Sequence, residues 1–523
     1  MRRRGVARRA GSGCRFVSAV LAVLLLTAAA EASAPARATL RAARDQQMLR
    51  AGHLLRHLGF GPNRREMRAV LKLGEAAYIE QQLHPETIDD RLGERRFHRP
   101  PSAEDDGSLW QVRWLSRMLH SRRQLQEKMA LIWHEHFATS NSKVGAFPLM
   151  RDQEQLFRDH ALGSFRDLLA AVTRDNAMLF YLDNAHNDGR AVDDLGLPIP
   201  PNENYARELL QLFSVGVYRL RRDGSIVRDD HGAPLPAYSE TDVKEVARAL
   251  TGWRAHFPQS VPMDSTEVVP PADFDPSLHD AEAKTVLGQF LPADAVGGAF
   301  DVERVVDAIM RHASTAPFIS KILIQKLATE TPTPAYVERI ATVFADTDGD
   351  LRAVVRAILT DAEFSDPHVL RSQYRTPTEQ LVGALRGLGA RGGSRTVYFW
   401  TLFGGHLVYY PPSVFSFYPP GRKATMLTAS SVATLDAAAD AIANGFQDDF
   451  YDAAWDADGL IRRYRLQGRP ELAVDLLARE LLAAPLSPAT RQVLLDYLGP
   501  RVDERGLRGA AWLLLCSPDY QVM

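Results

Sequence analysis

The sequence predicts a mainly α-helical protein, a large multi-helix globular assembly with long ordered loops and few or no strands. Three observations carry that prediction. Apolar residues recur at three- and four-residue spacings in segments 109–121, 123–137, 152–171, 203–214, 240–250, 301–311 and 335–345. Strand-like alternation is scarce. G-x-x-x-x-G-K does not occur, and the G-x-G-x-x-G match at Gly387-Leu388-Gly389-Ala390-Arg391-Gly392 follows no strand-like segment, so a nucleotide-binding α/β fold is not supported.

From the first residue onward, the opening reads as a secretory signal peptide over 1–34. Met1-Arg2-Arg3-Arg4 begins a basic stretch, an apolar run follows from Phe16 to Ala30, and Ala32-Ser33-Ala34 is the expected cleavage box. The run is shorter than the roughly 20 residues of a membrane-spanning helix, so no span is expected after cleavage. Arg8-Arg9 lacks the apolar continuation of a twin-arginine signal, and Cys14 precedes the run, where a lipoprotein cysteine would follow it. Loss of six arginines and one glutamate would lower the formal charge from −2 to −7, which argues against non-specific nucleic-acid binding. Cys516 would then stand alone, leaving no intrachain disulfide. The location expected is exported, periplasmic or secreted. The organisation expected is a main helical domain over 35–395 and a C-terminal helical subdomain, 396–523, packed on it.

Proline and glycine gather at 194–202, 256–280 and 410–421, which read as long ordered loops between helical blocks. Near the end, Leu351-Arg352-Ala353 leads a helix closing in Thr360-Asp361-Ala362-Glu363-Phe364. Leu507-Arg508-Gly509 leads another, closing in Ser517-Pro518-Asp519-Tyr520. Two such echoes suggest equivalent helices, short of the three units a solenoid needs.

Four polar clusters are candidates for chemistry. His134 and His136 flank Glu135 in Trp133-His134-Glu135-His136-Phe137, and neutral imidazoles are common metal ligands. Residues two apart on a helix point about 200° from each other, so the pair shares an ion only if the helix ends there. Packing beside Trp133 and Phe137 is the alternative. In Asn202–Phe213, Asn202 suits a helix N-cap, and Glu203 and Arg207 form an i,i+4 pair. Asn204, Glu208 and Gln211 then share one face, as a solvated stripe or as a buried network around a site. Ser239 with Asp242 resembles a capping box. His279-Asp280, with Lys284, is a titratable pair on a long loop. Asp346–Asp350 imitates a calcium loop, yet its glycine is misplaced and position twelve is Ala357, so Asp350 reads as a helix N-cap. G-x-S-x-G and H-E-x-x-H are absent.

These stretches also carry a resemblance. The chain resembles the bacterial family named domain of unknown function 1800 over nearly its whole mature length. The matching stretches run from His53–Pro62 through Glu127–Ser140, His160–Leu169, Asp175–Asn184, Asn202–Gly216 and Asp242–Trp253. They continue in His279-Asp280 with Lys284 and Gly288, then Pro412–Tyr418 and Ser517–Tyr520. Gln211 and Ser214 depart from it, standing where glutamate and threonine are more usual. The resemblance implies exported, largely helical proteins, often encoded beside a second exported family (domain of unknown function 1501) that is similar to sulfatases and phosphatases. It implies no particular reaction, cofactor or catalytic residue.

Two function classes follow. In the first, an exported enzyme carries a His/carboxylate site between helices, a template known from helical bundles. Its catalytic candidates are Asn204, Arg207, Glu208, His279 and Asp280. Its metal candidates are His134, His136, Glu208 and His279, with a divalent or transition metal as cofactor. In the second, a non-catalytic binding protein acts with the neighbouring sulfatase/phosphatase-like protein or a cell-envelope polymer. Its contact surface would be the tryptophans and the aromatic loop from Tyr409 to Pro420.

Overall fold

The computed structural model describes residues 45–91, 108–257, 269–293, 298, 300–445 and 451–523. The expected signal peptide lies outside them. Helices dominate what is described, as the spacing predicts, and only four short strands appear among the described residues.

At the centre stands the helix Gln124–Phe137, with every residue except Gln126 buried. It packs on Phe147–Asp159, on Glu75–Leu83 and on Leu109–His120. A second buried rod, Pro377–Leu388, begins at a capping box in which Thr376 and Glu379 exchange hydrogen bonds, with proline at the first helical position. Gly387 lets this rod meet the helix Pro470–Leu481, because a Cβ there would fall 2.6 Å from the Glu480 carbonyl oxygen.

Outer helices are amphipathic. Asp301–Arg311 buries Val302, Val305, Val306 and Ile309 on one side, each contributing about 1.5–3 kcal/mol by leaving water. Leu351–Thr360 starts where Asp350 accepts the Arg352 and Ala353 amides, the capping role read from the sequence. The two echoed helices take matching forms, Leu351–Thr360 followed by a short turn at Ala362–Ser365 and Glu504–Cys516 followed by Pro518–Gln521. Residues 51–523 form one compact unit, and helices on either side of position 395 pack together within it.

The strands are local. Trp253–Arg254 pairs with Asp273–Phe274, and Lys284–Val286 with Gln289–Leu291, both antiparallel. Leu287 and Gly288 join the second pair with positive φ at both positions, the geometry of a two-residue hairpin turn. Among the described residues no helix is long and apolar enough to cross a membrane.

Candidate functional site

The helix Gln124–Phe137 runs unbroken through both histidines and ends one residue later, where Ala138 turns left-handed. The two rings therefore face different walls. His134 Nε2 accepts the Tyr409 amide at 3.0 Å, and the ring lies edge-on to Trp114. His136 Nε2 donates to the Phe213 carbonyl at 2.9 Å. Burial pushes their pKa values down to about 3 and about 4, so both rings stay neutral. Among the described residues, no three His, Cys, Asp or Glu side chains gather where they could hold one metal ion. His134, His136, Glu208 and His279 thus do not share a centre there.

Between the histidines, Glu135 heads a sealed network that sequence reasoning missed. It accepts from Lys326 Nζ at 2.6 Å, from Tyr418 Oη at 2.8 Å and from His406 Nε2 at 3.1 Å. Burial by itself would raise the Glu135 carboxyl, but Lys326 and His406 outweigh it and hold the group well below the carboxylate range. Nearby, Glu379 binds Lys128 and also accepts from Lys423 Nζ at 3.3 Å. The loop after Gly404 delivers His406, Tyr409, Tyr418 and Lys423 into this interior. Tyr409 and Tyr418 are consequently buried, with the Tyr409 hydroxyl on Glu154. The aromatic contact surface expected there is therefore mostly turned inward, and Phe415 is its exposed ring.

The Asn202 cluster lies on an open ledge instead. Asn202 accepts the Asn204 amide, and the helix begins at Asn204. After Glu208 the coil widens into a π-helical turn, Leu209–Ser214, which ends the 3.6-residue register that would align Gln211 with Glu208. Asn204 donates to Asp183 Oδ2 at 3.0 Å, and Lys143 binds the same carboxylate at 2.8 Å. Arg207 makes a two-pronged contact with Glu240 at 2.9 and 2.8 Å and reaches Glu203 at 3.0 Å. Ser239 and Asp242 form the capping box read from the sequence. Glu208 differs from these paired groups. It is half-buried, its Oε2 is enclosed without a hydrogen-bond partner, and burial raises its pKa against the pull of Arg207. Tyr181 is pushed up to about 12 by burial and by Glu208.

His279 and Asp280 form a knot beside this ledge. His279 Nδ1 donates to the Thr251 carbonyl at 3.0 Å, and its Nε2 lies 3.3 Å from Asp301 Oδ2, which also binds Lys284 at 3.0 Å. Asp280 accepts from Arg248 at 2.6 and 3.2 Å. The knot grips the foot of a hairpin over residues 190–201. Arg190 Nε donates to the His279 carbonyl at 2.9 Å, and the Gly189 amide donates to the Leu278 carbonyl at 2.8 Å. A Cβ at Gly189 would sit 2.7 Å from the Asp280 amide, so only glycine fits. The other strand is held by Asn187, which exchanges hydrogen bonds with the Asn202 backbone at 2.8 and 3.0 Å.

At the tip, Asp193 accepts the Leu195 and Leu197 amides, and Gly196 takes a φ of 77°. The hairpin lifts Val192, Leu195, Leu197 and Ile199 into solvent, at 58, 84, 59 and 46 % exposure. The fold thus sorts the catalytic candidates into two groups. Asn204, Arg207 and Glu208 share the ledge, while His279 and Asp280 anchor the hairpin leading into it. A D-D-L-G-L-P-I-P-P run, alternating apolar residues with turn formers, is the signal that could have revealed the hairpin.

No curated protein and no solved structure matches this chain. The profile of one family, described as Protein of unknown function (DUF1800), matches residues 53–522. With its core helices, ledge and hairpin anchor all inside that match, the chain belongs to the DUF1800 family.

Proposed function

We propose that this protein is an exported binding protein that docks a second exported protein through the hairpin 190–201. The observation carrying the proposal is four large apolar side chains exposed together on a hairpin whose foot is fixed by hydrogen bonds to Asn187, Leu278 and His279. Exposed apolar patches on a folded surface commonly mark recognition sites. A pre-formed hairpin also loses little conformational freedom on binding. The basic, apolar and small-residue opening supports export. The sulfatase/phosphatase-like protein often encoded beside the family is the proposed partner.

Mixing the purified mature chain with that partner and measuring association by calorimetry tests the reading. Leu195→Ser/Leu197→Ser should weaken association roughly 30-fold or more, as expected for anchors worth about 2 kcal/mol or above. No association of the parent chain, or equal association of the double variant, overturns it.

A second reading, an enzyme using Glu208 for proton transfer, draws support from the partnerless buried oxygen and raised pKa of that residue. Ester and phosphoester hydrolysis by the parent chain, reduced about 100-fold or more in Glu208→Gln, is its expected outcome. Absence of turnover, or turnover unchanged by the substitution, removes it.

A further inference from the structure

The N-terminal turn of the helix Arg64–Leu73 meets the loop that follows Pro377–Leu388 at a groove of about 350 Å3. Arg64, Arg65, Arg386, Arg391 and Arg463 line it against one carboxylate, Asp456. The whole chain has a formal charge of −2, so this is a local excess of positive charge.

Two of the arginines already have partners. Arg386 is buried and donates to Glu66 at 2.5 Å and to the Leu119 carbonyl at 2.8 Å. Arg64 gives its Nε to Glu480 at 2.8 Å, which leaves its Nη2 enclosed with no hydrogen-bond partner. Asp456 is engaged too, accepting the Gly459 amide at 2.7 Å as a helix cap. Arg65, Arg391 and Arg463 are exposed, and among the described residues none forms an ion pair. The position of Arg391 is fixed all the same, because its backbone pairs with Ala454 at 2.7 and 3.1 Å. Gly392 and Gly393 follow it with φ of 68° and 101°, a conformation that favours glycine and leaves this rim without side chains.

We infer that this groove binds the phosphate or sulfate monoester group of a small ligand or of a chain end. Three unpaired guanidinium groups repel one another, and a tetrahedral oxyanion relieves that repulsion while accepting paired N–H bonds from planar forks. The volume exceeds that of one oxyanion, so the body of the ligand has room as well. The site is built from other elements than the ledge and the hairpin, and it stands whether or not the docking proposal holds.

Calorimetric titration of the full mature chain with inorganic phosphate, inorganic sulfate and glucose 6-phosphate, at constant ionic strength and with acetate as control, tests the inference. One equivalent should bind, with glucose 6-phosphate or the preferred oxyanion well above acetate. A preference between phosphate and sulfate supports the site and identifies its ester. Arg391→Ala/Arg463→Ala, at two exposed positions, should fold as the parent does by circular dichroism and bind about 100-fold more weakly, roughly tenfold for each charge-assisted contact. Heat no greater than with acetate, or equal affinity in the double variant, overturns it.

Discussion

The helix Gln124–Phe137 and the ledge around Asn204–Glu208 both place histidine, carboxylate or amide groups among apolar residues, yet the fold treats them in opposite ways. The helix is sealed. Glu135 there has three donors, and His134 and His136 are each satisfied by a backbone group. The ledge is open, and the Glu208 carboxyl is left with an enclosed oxygen that nothing donates to. A buried polar group without a partner costs roughly 1–3 kcal/mol, which favours pairing such as that of Glu135, His134 and His136, while Gln124 Oε1 and Glu127 Oε2 of the same helix stay enclosed without a partner. At the half-open ledge, water can reach part of the group and the requirement relaxes. Identical residue types therefore serve architecture in one place and remain available for interaction in the other.

Substitution is the sharpest way to break that contrast. Glu135→Ala would leave Lys326 buried and unpaired and is expected to cost about 3–5 kcal/mol, read from denaturant unfolding. A loss below about 1 kcal/mol, the scale of an exposed pair, would mean the network is not sealed. Glu208→Gln should leave stability at neutral pH unchanged or slightly higher. Its carboxyl pKa is raised, so the fold favours the uncharged form, and the stability it contributes is lost as pH rises.

Acid should act through the sealed region. His53, His134 and His136 have folded pKa values lowered by burial to about 3, about 3 and about 4. In the unfolded chain such rings take a proton near pH 6.5, so their contribution is complete above that pH and is lost as pH falls toward 3–4. Glu379 works in the same direction lower down. Burial would raise it, Lys128 and Lys423 hold it to about 2, and its contribution fades below about pH 4.5. The unfolding midpoint should thus drop steadily from about pH 6.5 downward, and a flat profile to pH 4 would contradict buried neutral histidines. The smallest effect on stability belongs to the hairpin. Leu195→Ser/Leu197→Ser removes exposed apolar surface and should shift stability by no more than about 0.5 kcal/mol per site, while abolishing most of the proposed docking.

Much of the scaffold was legible because its signals are local. The Asp350 cap, the Ser239–Asp242 capping box and the apolar stripe of Asp301–Arg311 depend on residues within a turn or two of each other. The divergence of His134 and His136 followed from helix geometry once Phe137 proved to be helical. The Glu135 network could not be foreseen in this way. Its members lie 191, 271 and 283 residues from Glu135 along the chain, and no local spacing records their meeting.

By itself, the sequence determined the helical class, the caps and turns, and membership of a family. All of these rest on short-range periodicity and on ordered motifs along the chain. Only the tertiary structure decided which polar residues are sealed and which face solvent. It also decided that His279 and Asp280 hold the foot of a hairpin, and that arginines from distant segments line one groove. Burial and charge neighbourhood arise when remote segments pack, and those two quantities set whether a carboxylate, a histidine or an arginine is already satisfied or still able to bind.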